Sequence, residues 1–366
     1  MAEKKNKKKS GVGRFLFGLT ARTFMLMNAG VLVLSYLSMY VNPAEAWFMT
    51  IFGLLFIVFF VVNLILLLWA IRRRSGAFVI PLLALLPSAF LIGRYVQFSG
   101  RDEVSDDSVT VVCYNIGKFV MYPEHSRIAS DEACADSVFN FLRRTDADII
   151  CLQEFHSPKG VEVKDFLAGY MPEYEVEYYT HVGGHGAYGN VILSRFPVVD
   201  RGKFDFDQSS NLAVYADLDV NGKVIRVYNC HFESYSLSLP RLAKAFASRE
   251  DGKVQEAEEK MRNSITRRPQ QVDAVLEDIR NSPVESIVTG DFNDTPMSYT
   301  YQQLKRGRKD SFVEAGKGLG GTYTGLWPFI RIDYVLFPEK SEALYHKVER
   351  KRFSDHYPIV TRLKIN

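Results

Sequence analysis

Three stretches within the first hundred residues contain no Asp, Glu, Lys or Arg: those between Arg22 and Glu45, between Glu45 and Arg72, and between Arg74 and Arg94. Each is long enough to cross a hydrocarbon core of roughly 30 Å, which takes about 20 helical residues. The first two are rich in Leu, Val, Phe and Ile. Three successive segments of this kind have little use for a water-facing side, so the spacing predicts a transmembrane helical region over residues 23–98, with three helices. Pro81 and Pro87 interrupt the third segment. A cleaved signal peptide fits poorly, because another apolar run follows the first in place of a polar mature domain.

Basic residues set the orientation. Lys4, Lys5, Lys7, Lys8, Lys9, Arg14 and Arg22 precede the first span, and Arg72, Arg73 and Arg74 follow the second. Two spans put both clusters on one face, which the positive-inside rule makes cytoplasmic. Residues 1–22 then read as a basic cytoplasmic tail. A third crossing carries everything after a polar linker, 99–108, to the far side, which for a bacterial inner-membrane protein is the periplasm. If the third segment does not cross, the rest is cytoplasmic.

Residues 1–107 hold 12 Lys or Arg against 6 Asp or Glu, leaving 33 against 36 for the remainder, so the net +3 divides into +6 and −3. The basic excess belongs to the anchor, which argues against nonspecific nucleic-acid binding by the rest. Cys113, Cys134, Cys151 and Cys230 all lie beyond the anchor. Three of them sit in apolar runs, as buried free thiols do, and no CxxC spacing suggests zinc.

After the linker, strand-like runs cover Val109–Tyr114, Ile149–Leu152, Tyr174–Tyr179, Asn190–Leu193, Leu212–Val220, Val224–Cys230, Ser286–Thr289, Ile332–Phe337 and Ile359–Leu363. Helical spacing appears at Val138, Phe141 and Leu142 and again at Val272, Val275, Leu276 and Ile279, each set just before a strand. The combination predicts an α+β layered fold over residues 109–366. Residues 234–268, charged and poor in large apolar side chains after Phe246, read as a solvated insertion.

Six of the strand-like runs stop at polar residues suited to metal or phosphate chemistry: Tyr114-Asn115, Gln153-Glu154, Asn229-Cys230-His231, Asp291-Phe292-Asn293, Ile332-Asp333-Tyr334 and Ser354-Asp355-His356. Any one alone reads as a turn or cap. Together with Gly189–Pro197 their order and spacing resemble the endonuclease/exonuclease/phosphatase superfamily, which includes DNase-I-like nucleases, abasic-site endonucleases, neutral sphingomyelinases and inositol-polyphosphate 5-phosphatases. The resemblance implies a four-layer α/β/β/α sandwich of two mixed sheets and a metal-dependent phosphoesterase. Two departures point away from DNA repair: Gly117 stands where abasic-site endonucleases carry an acidic residue, and His231 matches the histidine-bearing branches.

By that resemblance Glu154 is the main ligand of Mg²⁺ (or Mn²⁺), Asn115 adds a neutral oxygen, and Asp355 completes or supports a second site. Mg²⁺ suits such a set because it prefers oxygen ligands and keeps several waters. His231 and His356 face the scissile phosphate, Asp333 orients His356, Asp291 aligns or deprotonates the attacking water, and Asn293 donates to a phosphate oxygen. Arg195 is a further candidate for contacting substrate phosphate. The partners implied are the lipid bilayer and a phosphate ester: a lipid headgroup, a phosphorylated small molecule or, less favoured, a nucleic acid. The competing reading is a non-catalytic membrane receptor or scaffold that keeps the fold.

Overall fold

Two six-stranded mixed sheets pack face to face in the computed structural model, which describes residues 2–119, 131–207, 209–235, 251–326 and 330–366. The strands are β1 (Val96–Gln97), β2 (Ser108–Asn115), β3 (Ile149–Pro158), β4 (Glu175–Gly183), β5 (Gly186–Ser194), β6 (Val198–Asp205), β7 (Leu212–Val220), β8 (Lys223–His231), β9 (Ser286–Asp291), β10 (Arg308–Asp310), β11 (Gly318–Leu319), β12 (Asp333–Pro338), β13 (Glu342–Val348) and β14 (Ile359–Lys364). One sheet runs β13-β14-β2-β3-β5-β4, the other β10-β12-β9-β8-β7-β6. Pairing is parallel for β2–β3 and β8–β9 and antiparallel for the other neighbours.

Alternation explains the layers. On β2, Val109, Val111 and Cys113 join the core between the sheets, while Val112 and Tyr114 turn outward. The outward set packs on helices α6 (Asp131–Thr145) and α7 (Val163–Tyr170), which bury Val138, Phe139, Leu142 and Leu167. The far side of the other sheet is covered by α8 (Asp251–Asn281) and α9 (Tyr299–Leu304), through Val272, Val275, Tyr301 and Leu304. Central strands are thus buried on both faces, which is why they read as unbroken apolar runs. This is the expected four-layer sandwich. All four cysteines are free and buried.

Part of the segment expected to be a solvated insertion is the front half of a layer-forming helix: α8 runs unbroken from Asp251 into the region of Val272. Its charged residues mislead because Arg268 is buried, at 1% exposure, against Asp294. Residues 236–250 of that segment lie outside the described residues.

Ahead of the sandwich, α1 (Ala2–Leu37), α2 (Met49–Leu54), α3 (Phe56–Arg72), α4 (Val79–Leu85) and α5 (Ser88–Leu91) form a helical bundle. Two segments, Phe15–Leu37 and Gly76–Arg94, are long and apolar enough to cross a membrane, and only 17% of each is buried. Phe56–Arg72 is apolar but shorter. The second of the long segments is broken near the prolines, with α4 ending at Leu85 and α5 starting after Pro87. Buried Asn63 clasps α3 to α1 by donating to Asn28 O at 3.1 Å, and Tyr36 donates to Ala84 O at 2.8 Å.

A buried histidine gives the sandwich a pH-dependent stability. His346 on β13 meets Ser311 Oγ at 2.8 Å through Nδ1, its Nε2 has no partner, and Phe312 lies edge-on at 5.5 Å. Burial pushes it down to about 3, against the pull of Asp310 and with the help of Arg331. The folded state therefore holds it neutral while the unfolded chain protonates it near 6.5, so its contribution is complete above that pH and declines as pH falls toward 3. At pH 5 the loss is about 2 kcal/mol, at roughly 1.4 kcal/mol per pH unit. Unfolding of the full chain between pH 7 and 5 is expected to show a shallower slope for His346→Gln; an unchanged slope removes His346 as a cause.

Candidate active site

Strand register carries the polar residues to one end of the sandwich. Parallel pairing of β2 with β3 sets Asn115 beside Gln153, one residue before Glu154, and parallel pairing of β8 with β9 sets His231 beside Asp291. Antiparallel β12 starts where β9 ends, with Asp333 opposite Asp291, and β14 starts opposite Cys113, which brings Ser354-Asp355-His356 to the same edge. A bulge in β3 between Leu152 and Phe155 holds Glu154 at φ 51°, turning its carboxylate out of the ladder.

The side chains meet around Asp291, which is 1% exposed. Its Oδ2 accepts from Asn115 Nδ2 at 3.0 Å and lies 3.6 Å from His356 Nε2 and 3.8 Å from His231 Nε2. Its Oδ1 accepts from the backbone N–H of Asn293 at 2.8 Å. His231 Nε2 also lies 3.8 Å from Glu154 Oε1. Asp333 receives His356 Nδ1 at 2.9 Å, fixing the ring so that Nε2 faces Asp291. Asn293, at φ 51°, anchors one amide hydrogen on Phe232 O at 2.9 Å, leaving the other for a ligand.

Asn115 sits between two of the carboxylates. Its amide donates to both Asp291 and Glu154, the latter at 3.4 Å, while its oxygen accepts from Gly117 N at 3.1 Å. In this way it ties the two carboxylates together. Arg195 is not brought to the site. It follows the end of β5 that pairs with Ile149, at the opposite end of β3 from Glu154, and it ion-pairs with Asp146 at 2.7 Å and stacks on Tyr174. Sequence spacing names a strand but not which of its ends faces the site.

Electrostatically the site is an excess of carboxylates. Burial raises the pKa of Asp291, Asp333 adds to the rise, and His356 and His231 oppose it. For His356, burial alone would lower the pKa, but Asp333 and Asp291 outweigh it and hold the imidazole well above its ordinary value. Among the described residues, Glu154, Asp291, Asp333 and Asp355 have no ion pair with Lys or Arg. An oxygen-rich, uncompensated cluster fits a hard divalent cation. Asp291, Asp333 and His356 also lie close enough together to hold a metal. In this arrangement His356 Nδ1 is committed to Asp333, while the Glu154 and Asp355 carboxylates are less buried than Asp291 and Asp333.

Gly117 has a local reason to be glycine. Its φ is +56°, and a Cβ there would come within 3.1 Å of Ser354 Oγ and 3.6 Å of Asp355 Oδ1. Tyr188, which the sequence did not single out, stands beside the site. Burial, then Glu154 and Asp291, push its phenol up, and Lys118 Nζ sits 4.4 Å over its ring. Tyr188 lies on β5, in a glycine-rich stretch, 183–189, where β4 turns into β5.

The family described as Endonuclease/Exonuclease/phosphatase matches residues 112–356, and the chain belongs to it. Its members are hydrolytic phosphoesterases that typically use divalent metals. Residues 15–95 separately match a domain of unknown function (DUF8431). A search of the curated proteins finds no match. Among solved structures, an endonuclease/exonuclease/phosphatase from Bacteroides vulgatus is 19% identical, covering 71% of this chain and 99% of its own, with a TM-score of 0.51. A family member from Beutenbergia cavernae is 18% identical over 71% of this chain and 72% of its own, TM-score 0.51. A functionally unknown conserved protein from Enterococcus faecalis is 15% identical over 70% and 99%, TM-score 0.52. At such identities the likeness concerns the fold alone.

Proposed function

We propose that this protein is a membrane-anchored phosphodiesterase, dependent on Mg²⁺ or Mn²⁺, whose catalytic domain faces away from the cytoplasm. The observation that carries the reading is the convergence of Glu154, Asp291, Asp333 and Asp355 with two histidines and, among the described residues, without a paired Lys or Arg. Glu154 and Asp355 would hold the ion. When bound, it supplies positive charge to the anionic phosphate oxygens.

The rest falls to the chain. Asp291, its pKa raised by burial, accepts a proton from the attacking water as the water oxygen bonds to phosphorus. His356, kept protonated by Asp333, gives its Nε2 proton to the leaving oxygen as the old P–O bond breaks. His231 and the free amide hydrogen of Asn293 donate to the equatorial oxygens, where charge builds. A lipid headgroup diester is the favoured substrate, because tethering concentrates the site at the bilayer. Phosphorylated small molecules and exported nucleic acid follow.

The test is hydrolysis of bis(p-nitrophenyl) phosphate by the full chain in lipid nanodiscs. Turnover is expected with added Mg²⁺ or Mn²⁺ and is expected to vanish in excess chelator. Equal rates in chelator would sink the metal dependence, and tight binding across phosphatidylglycerol, sphingomyelin, inositol phosphates and DNA without product would favour a receptor. An alkaline phosphatase fused after Asn366 is expected to be active only outside the cytoplasm; activity of a cytoplasmic reporter there would reverse the topology.

A further inference from the structure

The loop that leaves β9 with the catalytic pair Asp291 and Asn293 runs on through Asp294, Thr295 and Pro296 to Met297, and there it meets the helical bundle. Met297 is fully buried in a cluster with Leu32, Met39, Phe56 and Tyr95. Its carbonyl accepts from Ser38 Oγ at 2.9 Å. Arg94 donates through Nη1 to Pro296 O at 2.9 Å and reaches Gln302 Oε1 at 3.4 Å. The approach is close enough that a Cβ on Gly53 would stand 2.5 Å from Met297 O and 2.5 Å from Ser38 Oγ.

A second attachment lies beside the first. β1, directly after Arg94 and Tyr95, pairs with β11 through Val96 and Leu319, and Gly320 N donates to Tyr95 O at 3.0 Å. Two residues on, Thr322 accepts from the backbone N–H of Asp333 at 3.2 Å through Oγ1 and from Tyr357 N at 2.7 Å through its carbonyl. Tyr323 bridges to His356. Both loops beneath the catalytic side chains are therefore fastened to one end of the bundle.

We propose that this end of the bundle is a positioning element of the active site, in which Ser38, Gly53 and Arg94 set the Asp291–Met297 loop. A bare tether would need only a linker, whereas here the carbonyls five and six residues beyond Asp291 are hydrogen-bonded by bundle side chains. The proposal rests on the phosphoesterase reading for its kinetic readout. It assigns the helices a part in turnover, so the isolated sandwich is not equivalent to the full chain.

The experiment uses full-length protein in nanodiscs. Gly53→Ala wedges the contact, Arg94→Met releases Pro296 without a clash, and Gly30→Ala, whose Cβ would meet nothing within 4 Å, is the control. For the first two, kcat on bis(p-nitrophenyl) phosphate is expected to fall about ten-fold or more at saturating Mg²⁺, with KM and the half-saturating Mg²⁺ concentration within about three-fold of wild type, since a small misplacement of catalytic groups lowers rate more than binding. Faster amide hydrogen exchange at residues 293–297 should accompany the fall. Arg94→Met keeps the test open if Gly53→Ala does not fold. Unchanged kcat and exchange in a folded variant overturn the proposal, as does an equal loss in Gly30→Ala. If wild type shows no metal-dependent turnover, the phosphoesterase reading fails by itself, and the exchange arm still decides whether the bundle holds the loop.

Discussion

Asp291→Asn is expected to lower phosphodiester turnover by about 10³-fold, within the range attributed to a positioned acid or base, while leaving thermal stability unchanged or raised. Asn keeps the shape and one oxygen for the Asn293 N–H, but it cannot take a proton from water. It also removes one of the three carboxylates, with Asp333 and Asp355, that hold His356 protonated. The stability prediction follows from the direction of the Asp291 shift. A carboxyl whose pKa is raised by burial is one whose charge the fold resists, so a neutral replacement relieves that resistance at pH 7. Turnover would be measured at saturating Mg²⁺, and unfolding in chelator so that bound metal does not mask the effect. Wild-type turnover removes Asp291 from the mechanism. A joint loss of activity and several degrees of Tm assigns it a structural role.

Much of this site was legible because its residues lie where apolar runs stop, beside strand ends or, for Glu154, at the bulge inside β3. Asn115, Glu154, His231, Asp291, Asp333 and His356 were all marked by that change of composition, and register does the rest. Of the edge strands, β4 was legible and the others were not. β6 and β13 each border a sheet, alternate exposed with covered residues and so show no apolar run. Asp310 caps the helix that starts at Ser311 while ion-pairing with buried Arg331. Arg195 and the role of Asn115 needed side-chain direction, which a one-dimensional spacing does not contain. The seat of Met297 in the bundle joins segments more than two hundred residues apart and leaves no local trace in either.

The same limit hid the largest expected stability effect. Arg268 lay within a charged segment that looked solvated, yet it forms an ion pair with Asp294 at 2.9 Å, with side-chain exposures of 2% and 3%. Arg268 also donates through Nε to Glu233 O at 2.8 Å and lies 4.3 Å over the Tyr235 ring, while Tyr235 OH donates to Asp294 Oδ1 at 2.6 Å. Arg268→Met preserves the aliphatic stem but leaves Asp294 charged and unpaired in the interior, which costs about 3–5 kcal/mol in comparable buried pairs. Pairing it with Asp294→Asn removes the stranded charge, so the double variant is expected to recover part of that loss, with a coupling of about 2 kcal/mol in the cycle. Denaturant unfolding of the full chain and its three variants checks this, and additive losses would mean that the two charges act independently. Because Asp294 directly follows Asn293, the single variant should also lose turnover, and the double variant should regain it with its stability. The long helix would then hold the catalytic loop at Asp294, as the bundle holds it at Pro296 and Met297.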